Sequence, residues 1–199
     1  MLIQEKFGSL LKKRIKEIQP VVEDVVGIEL GDIQVRPLRE SFDGMIKRYD
    51  ENPVSRILYT RREWERSLWL GEFFLYPLAK AEHSTVYYSQ SPLSSFFQGI
   101  FVPNVAAHEL AHLAHCKIIS KDSLKDTSTH VSDEFADYVA EKVCSRLDKP
   151  IASFSRKSAV RFHEILSKAG LTDSIDSAVS YLRFEHRRNE EKQKLYDSF

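Results

Sequence analysis

The stretch AAHELAHLAH (residues 106–115) carries the residues of this chain that are best suited to chemistry. His108, Glu109 and His112 fit the pattern H-E-x-x-H. Positions i and i+4 of a helix share a face, so both imidazoles can reach one zinc ion at about 2.0–2.1 Å. Glu109 lies beside them and can take a proton from a water whose pKa zinc lowers to about 7. The pattern predicts a zinc site for hydrolysis, with Glu109 as the general base.

The alternative interpretation is a chance pattern on a core helix. Steps of 100° per residue separate the helix into an apolar side and a polar side. The apolar side holds Ala106, Leu110, Leu113 and Ala114, whereas the other side holds His108, Glu109, His112, His115 and Cys116. A histidine-rich face next to a broad apolar face favours the metal site over chance.

His115 is the third histidine of the stretch, but its spacing argues against a ligand role. It lies seven residues beyond His108, which is about 10.5 Å along a helix axis. Three side chains do not converge on one ion over that span, and no downstream G-x-x-H supplies the third histidine of a metzincin. We therefore expect His115 to orient a ligand, to face the substrate, or to form a polar edge, and the sequence leaves these open.

A third protein ligand is expected because catalytic zinc sites usually have three and a water. The segment SDEFADYVAEKVC (132–144) follows the metal helix, and with it the chain resembles the gluzincins. In these zinc peptidases the third ligand is a Glu on a later helix, in a motif like E-x-x-A-D or E-x-x-A-N. This group of zinc peptidases includes CAAX-protease relatives, minigluzincins and repressor-cleaving phage-type peptidases. The resemblance covers residues 84–145 and implies a peptidase that acts on a peptide or protein substrate.

The second motif departs from the family pattern at the ligand position. Alignment on Ala136 and Asp137 places Asp133 there, and Glu134 is one residue away. A helical wheel puts Asp133 and Asp137 at the edge of the apolar arc and Glu134 nearly opposite its centre. Asp133 is therefore the predicted third ligand, and Asp137 is predicted to orient a ligand histidine. Glu134 stays the alternative, because Asp is one methylene shorter and a rotated helix could bring Glu134 in. The structural alternative is that these residues only begin a helix, with Ser132 as its cap and acidic residues in its first turn.

Two further features follow from the resemblance. The strand before the metal helix is implied to be an edge strand that binds substrate as an added strand, and STVYYSQ (84–90) stands in that place. A core strand with Tyr87 or Tyr88 half buried is the alternative. A His or Tyr that steadies the oxyanion is also implied, and the sequence does not choose among Tyr138, His163, Tyr181 and His186.

The remaining elements follow from periodicity and from Gly and Pro positions. We expect α+β, with a small zincin-like core at about 25–148 and a helical extension at about 151–199, within one domain of residues 1–199. Helices are predicted at 2–18, 39–52, 60–83, 105–119, 132–147 and 153–170 and from 172 onward. Strands are predicted within 25–38, at 84–90 and at 96–102, and a polar loop at 121–130. Asn104 and Ser153 are the predicted N-caps, and Pro20 and Gly170 the predicted stops.

Composition limits the possible partners and compartments. Lys+Arg and Asp+Glu both number 29, so charge gives no reason to expect nucleic acid. The most apolar stretch, 68–79, is too short to span a bilayer, and two cysteines without a dense pattern favour a reducing compartment. We expect a cytoplasmic zinc metallopeptidase of undetermined oligomeric state. Two rivals are a weak or inactive peptidase-fold regulatory or binding protein that retains zinc, and a structural helical domain with a chance motif.

Overall fold

The computed structural model describes residues 3–37, 79–82, 84–88, 92–119 and 129–196. Five helices and three strands lie within these ranges. In chain order they are α1 (Ile3–Val26), β1 (Gln34–Pro37), β2 (Ala79–Glu82), β3 (Thr85–Tyr88), α2 (Pro92–Ile118), α3 (Thr129–Arg146), α4 (Ser153–Lys168) and α5 (Ile175–Tyr196). The helix expected at 39–52 and most of the helix expected at 60–83 lie outside the described residues.

Helix α1 continues through Pro20, where the sequence predicted its end. Proline removes a helical hydrogen bond and costs about 3 kcal/mol in a helix interior. The apolar stripe, however, runs on past the proline at helical spacing, and its members are buried on both sides of it. These residues are Leu11, Ile15, Ile18, Val22 and Val26. Their burial outweighs the cost, and Gly27 ends the helix with a positive φ of 71°.

The sheet has three strands in the order β1-β3-β2. Strands β1 and β3 are parallel, and β2 and β3 form an antiparallel hairpin in which Ser84 has a φ of 58°. β3 is therefore the central strand, and the expectation that it is a substrate-binding edge is wrong for residues 85–88, because both sides are already paired. Residues 79–82 were expected to be helical and are the strand β2. Tyr87 and Tyr88 are half buried.

Helix α2 is longer than predicted and includes Pro103. The strand expected at 96–102 and the N-cap expected at Asn104 are both wrong, because these residues lie inside the helix. Asn104 is buried and caps a different helix: its Oδ1 accepts a 2.7 Å hydrogen bond from the Ala152 backbone N–H at the start of α4. Its Nδ2 lies 3.4 Å from Ser155 Oγ. The N-cap of α4 is Ala152, and Ser153, which was the predicted N-cap, is the first residue of the helix.

The core forms where α2 packs against α1 and α3, and α3 packs against α4. An aromatic cluster joins α3 to α4: the Phe135 and Phe162 rings are 5.7 Å apart, and the Tyr138 and Phe162 rings are 5.1 Å apart. Strand β2 contacts α2, and α1 contacts β1. A few-stranded sheet beside a helical core is compatible with the predicted α+β class. None of the helices in the described ranges combines the length and the apolar character needed to cross a membrane.

Phe162→Ala should destabilise the fold strongly. The Phe162 side chain is fully buried at the centre of the aromatic cluster, and its removal leaves a cavity that costs about 3–5 kcal/mol. Chemical denaturation measures the effect. Val160→Ala on the same helix is the control, because Val160 is 48% exposed, and its free energy of unfolding should change much less. Equal losses in the two variants would contradict this description of the core.

Candidate metal centre

The candidate centre lies where α2 and α3 run antiparallel. His108, near the middle of α2, pairs with Asp137 on the third turn of α3, with 2.8 Å between Nδ1 and Oδ1. His112, one turn later on α2, pairs with Ser132, an earlier residue of α3, with 3.1 Å between Nδ1 and Oγ. Each histidine therefore has its Nδ1 engaged by α3, which turns each Nε2 toward the other.

Three possible ligand atoms converge at this point. The Nε2 atoms of His108 and His112 are 3.0 Å apart, and the two rings meet edge to face. Asp133 Oδ1 lies 3.4 Å from His112 Nε2. One ligand atom from each of these residues falls within 4.8 Å of the others. Two nitrogens bound to one tetrahedral zinc would be about 3.3–3.4 Å apart, so the spacing is that of a metal site to within a few tenths of an ångström.

The donor chemistry also fits a cation. Asp137 accepts a hydrogen bond only, so it holds a proton on His108 Nδ1 and leaves a lone pair on Nε2 of the neutral ring. Burial alone would lower the pKa of His108, but the Asp137 hydrogen bond and the charges of Glu109, Asp137 and Asp133 raise it overall. Burial, with the charge of His108, lowers the pKa of His112 well below its ordinary value. The neutral His112 ring can offer a lone pair to a cation.

The acidic residues of α3 take distinct positions around the pair. Asp133 reaches His112 from the outside, with its side chain 66% exposed, and Asp137 is buried against His108. Glu134 is half buried, and its charge acts on Tyr181 of α5. Among the described residues, the group able to hold a metal contains Asp133 and not Glu134. Glu109 is 6% exposed and its charge acts on His108.

His115 occupies a core position one turn further along α2. It is 3% exposed, and its ring packs edge-on against Phe135 with 5.5 Å between centroids. No hydrogen bond to its Nδ1 is found among the described residues. Burial, together with the charge of His186, lowers the pKa of His115 to about 4. The ring is therefore neutral near pH 7.

The four candidates for an oxyanion-stabilising group separate into two sets. Tyr138 donates a 2.8 Å hydrogen bond to Asp173, and His163 lies 3.1 Å from the same carboxylate and 3.0 Å from Glu141. Both are thus engaged between α3, α4 and the loop before α5.

Tyr181 and His186 form the second set, on α5. Burial, with the charge of Glu134, raises the pKa of Tyr181, and burial, with the charge of His186, lowers the pKa of His115. The candidates on α5 therefore stay open for this role.

Ser132 is the residue of the site that sequence reasoning missed. It was considered only as a helix cap, but α3 begins at Thr129, so Ser132 lies inside the helix and its buried hydroxyl faces His112. The available signal was spacing. Ser132 and Asp137 are five residues apart, so on antiparallel helices they can serve two histidines that are four apart.

No protein-family model, curated protein or solved structure was found to match this chain.

Stability should depend on His115 between about pH 6.5 and pH 4. The pKa of His115 is about 6.5 in the unfolded chain, whereas burial lowers this pKa to about 4 in the folded chain. The stability contributed by the neutral ring is therefore lost as the pH falls through this window, at up to about 1.4 kcal/mol per pH unit. Denaturation series at several pH values should give a shallower slope for His115→Leu than for the wild type. Equal slopes would contradict the burial of a neutral imidazole.

Proposed function

We propose that this chain is a zinc-dependent metallopeptidase of the gluzincin type, with a zincin-like core formed by α2, α3 and the sheet. In this proposal His108, His112 and Asp133 hold the zinc, Asp137 orients His108, and Glu109 is the general base. The substrate is a peptide or protein.

One observation carries the proposal: two partly buried imidazoles turn their Nε2 atoms toward each other at 3.0 Å while α3 engages both Nδ1 atoms. Ligand histidines in zinc sites are held in this way, by a partner on the nitrogen that does not bind the metal. The nearby Asp133 carboxylate completes three protein ligands, the number that catalytic zinc sites use. A purely structural helix pair has no need to turn two Nε2 atoms toward one point beside a carboxylate.

Zinc bound there would acidify a water molecule and polarise a peptide carbonyl. Glu109 follows His108 directly, so its carboxylate can accept a proton from the attacking water and deliver it to the leaving amine nitrogen. Asp137 keeps the His108 ring in the tautomer that a ligand requires. Asp133 lies on the exposed side of the centre, which is the side from which a substrate could approach.

The burial of Glu109 favours a second candidate function. A general base must reach its proton, yet Glu109 is only 6% exposed. A peptidase-fold regulatory or binding protein that retains zinc would tolerate such burial. The two candidates differ in turnover, and the Glu109 variant below separates them.

Asp133→Asn should weaken zinc binding, whereas Glu134→Gln should leave it close to wild type. The first change removes the charge that lies 3.4 Å from His112 Nε2, and we expect a loss of at least about 10-fold, the lower end of the effect of losing an orienting partner. Competition with a chromogenic chelator measures both affinities. The reverse order of the two variants would make Glu134 the third ligand.

Glu109→Gln should abolish cleavage while preserving zinc. We expect the rate of cleavage of an unstructured protein to fall by about 10²–10⁴-fold, the usual contribution of a general base, with zinc content measured by mass spectrometry unchanged. Glu164→Gln, at an exposed position of α4, is the control and should cleave as the wild type does. Zinc without cleavage in the wild type would favour the regulatory protein, and absence of zinc would favour the structural domain.

A further inference from the structure

The two histidines of the centre differ in the partner that holds each Nδ1 atom. His108 faces the Asp137 carboxylate, which can only accept a hydrogen bond, and His112 faces the Ser132 hydroxyl, which can accept or donate one. Ser132 and Asp137 are both buried, so little water competes for either contact. The two imidazoles therefore have unequal freedom to choose a tautomer.

A neutral imidazole carries one N–H and one lone pair. Asp137 places the N–H of His108 on Nδ1, so the Nε2 of neutral His108 presents a lone pair. His112 Nε2 lies 3.0 Å from that lone pair and 3.4 Å from the Asp133 carboxylate. Both neighbours attract a proton, so when both rings are neutral and no metal is bound the stable arrangement places the N–H of His112 on Nε2.

Metal binding requires the opposite arrangement at His112. A ligand nitrogen must offer its lone pair, so the proton has to leave Nε2 and the ring takes up a proton on Nδ1 instead. One proton departs and one arrives, and the ring stays neutral. The partner of Nδ1 must then change from a donor to an acceptor, which a carboxylate cannot do and a hydroxyl can.

We propose that Ser132 is a reversible positioning residue for His112: its hydroxyl donates to Nδ1 when both rings are neutral and no metal is bound, and it accepts from Nδ1–H when a metal is bound. The inference rests on the proposed metal site but does not require that the site be catalytic. It explains why α3 presents two different partners to two histidines of the same motif. Asp137 fixes the tautomer of His108 before a metal binds, and Ser132 allows the tautomer of His112 to change. The two histidines therefore have a satisfied hydrogen-bond pattern both with and without the metal.

Nitrogen NMR of the histidine side chains tests the inference directly on the full chain. Long-range proton–nitrogen spectra distinguish the two neutral tautomers and the imidazolium. Under mildly alkaline conditions, we expect metal-free wild-type protein to show His108 protonated on Nδ1 and His112 protonated on Nε2. Addition of zinc should move the His112 proton to Nδ1 and leave His108 unchanged. His112 protonated on Nδ1 in both states, or His108 as an imidazolium that donates to His112, would overturn the proposal.

Variants of Ser132 supply an independent readout. In Ser132→Ala the Nδ1–H of the metal-bound ring has no acceptor, and zinc affinity should fall by about 10–100-fold, while Ser132→Thr keeps a hydroxyl and should stay near wild type. Ser155→Ala is the matched control, because it removes another buried hydroxyl, on α4, and should not change zinc affinity.

The outcomes separate this inference from the proposed function. An alanine variant that binds zinc as tightly as the wild type would overturn the role of Ser132, whatever the peptidase activity. A wild-type chain that binds no zinc would overturn the proposed function itself. If Ser132→Ala does not fold, the tautomers of the wild type still decide the question.

Discussion

The antiparallel contact between α2 and α3 is the constraint on which the candidate centre depends. Two imidazoles enter a largely buried space at one-turn spacing, and a buried polar group without a partner costs about 1–3 kcal/mol. Residues of α3 remove that cost by engaging both Nδ1 atoms. The same contacts turn both Nε2 atoms toward one point. A single packing arrangement thus provides hydrogen bonds for both histidines and creates a site for a cation. A shift of α3 along α2 by one residue would therefore lose both the hydrogen bonds and the cation site.

The parts of the site that sequence could predict are those that depend on helical periodicity. The 108–112 spacing placed two imidazoles on one face, and the wheel for α3 placed Asp133 and Asp137 toward its neighbour and Glu134 away from it. In the described geometry Asp133 and Asp137 lie beside the two histidines, and the group able to hold a metal contains Asp133 and not Glu134. Periodicity operates within one helix and is insensitive to what lies elsewhere in the chain, which is why these expectations needed no knowledge of the tertiary fold.

The errors arose where tertiary packing overrides a local signal. Pro20 and Pro103 are strong helix breakers by local chemistry, yet both lie inside helices because apolar stripes continue past them and are buried. The strand at 79–82 was missed because its identity comes from pairing with β3. Asn104 has the right side chain for an N-cap, and it does cap a helix, but one whose N-cap residue, Ala152, lies 48 residues later. Local sequence identifies the capability of such a residue and not its partner.

Asp133, at the proposed third ligand position where the gluzincin motif has a Glu, has a geometric consequence for the helix pair. A side chain shorter by one methylene reaches its target only if the two helix axes lie closer together.

Both helices contain alanines that are fully buried: Ala106, Ala107, Ala111 and Ala114 on α2, and Ala136 and Ala140 on α3. Small residues permit close approach because no bulky side chain separates the backbones. Helices that approach closely would also bring α3 nearer to the Nδ1 atom of His112, and the Ser132 Oγ lies 3.1 Å from it. A longer ligand at position 133 would be compatible with a wider helix pair, in which a serine hydroxyl could no longer reach the ring. The short ligand, the short hydroxyl partner and the alanine-rich helices are therefore parts of one arrangement.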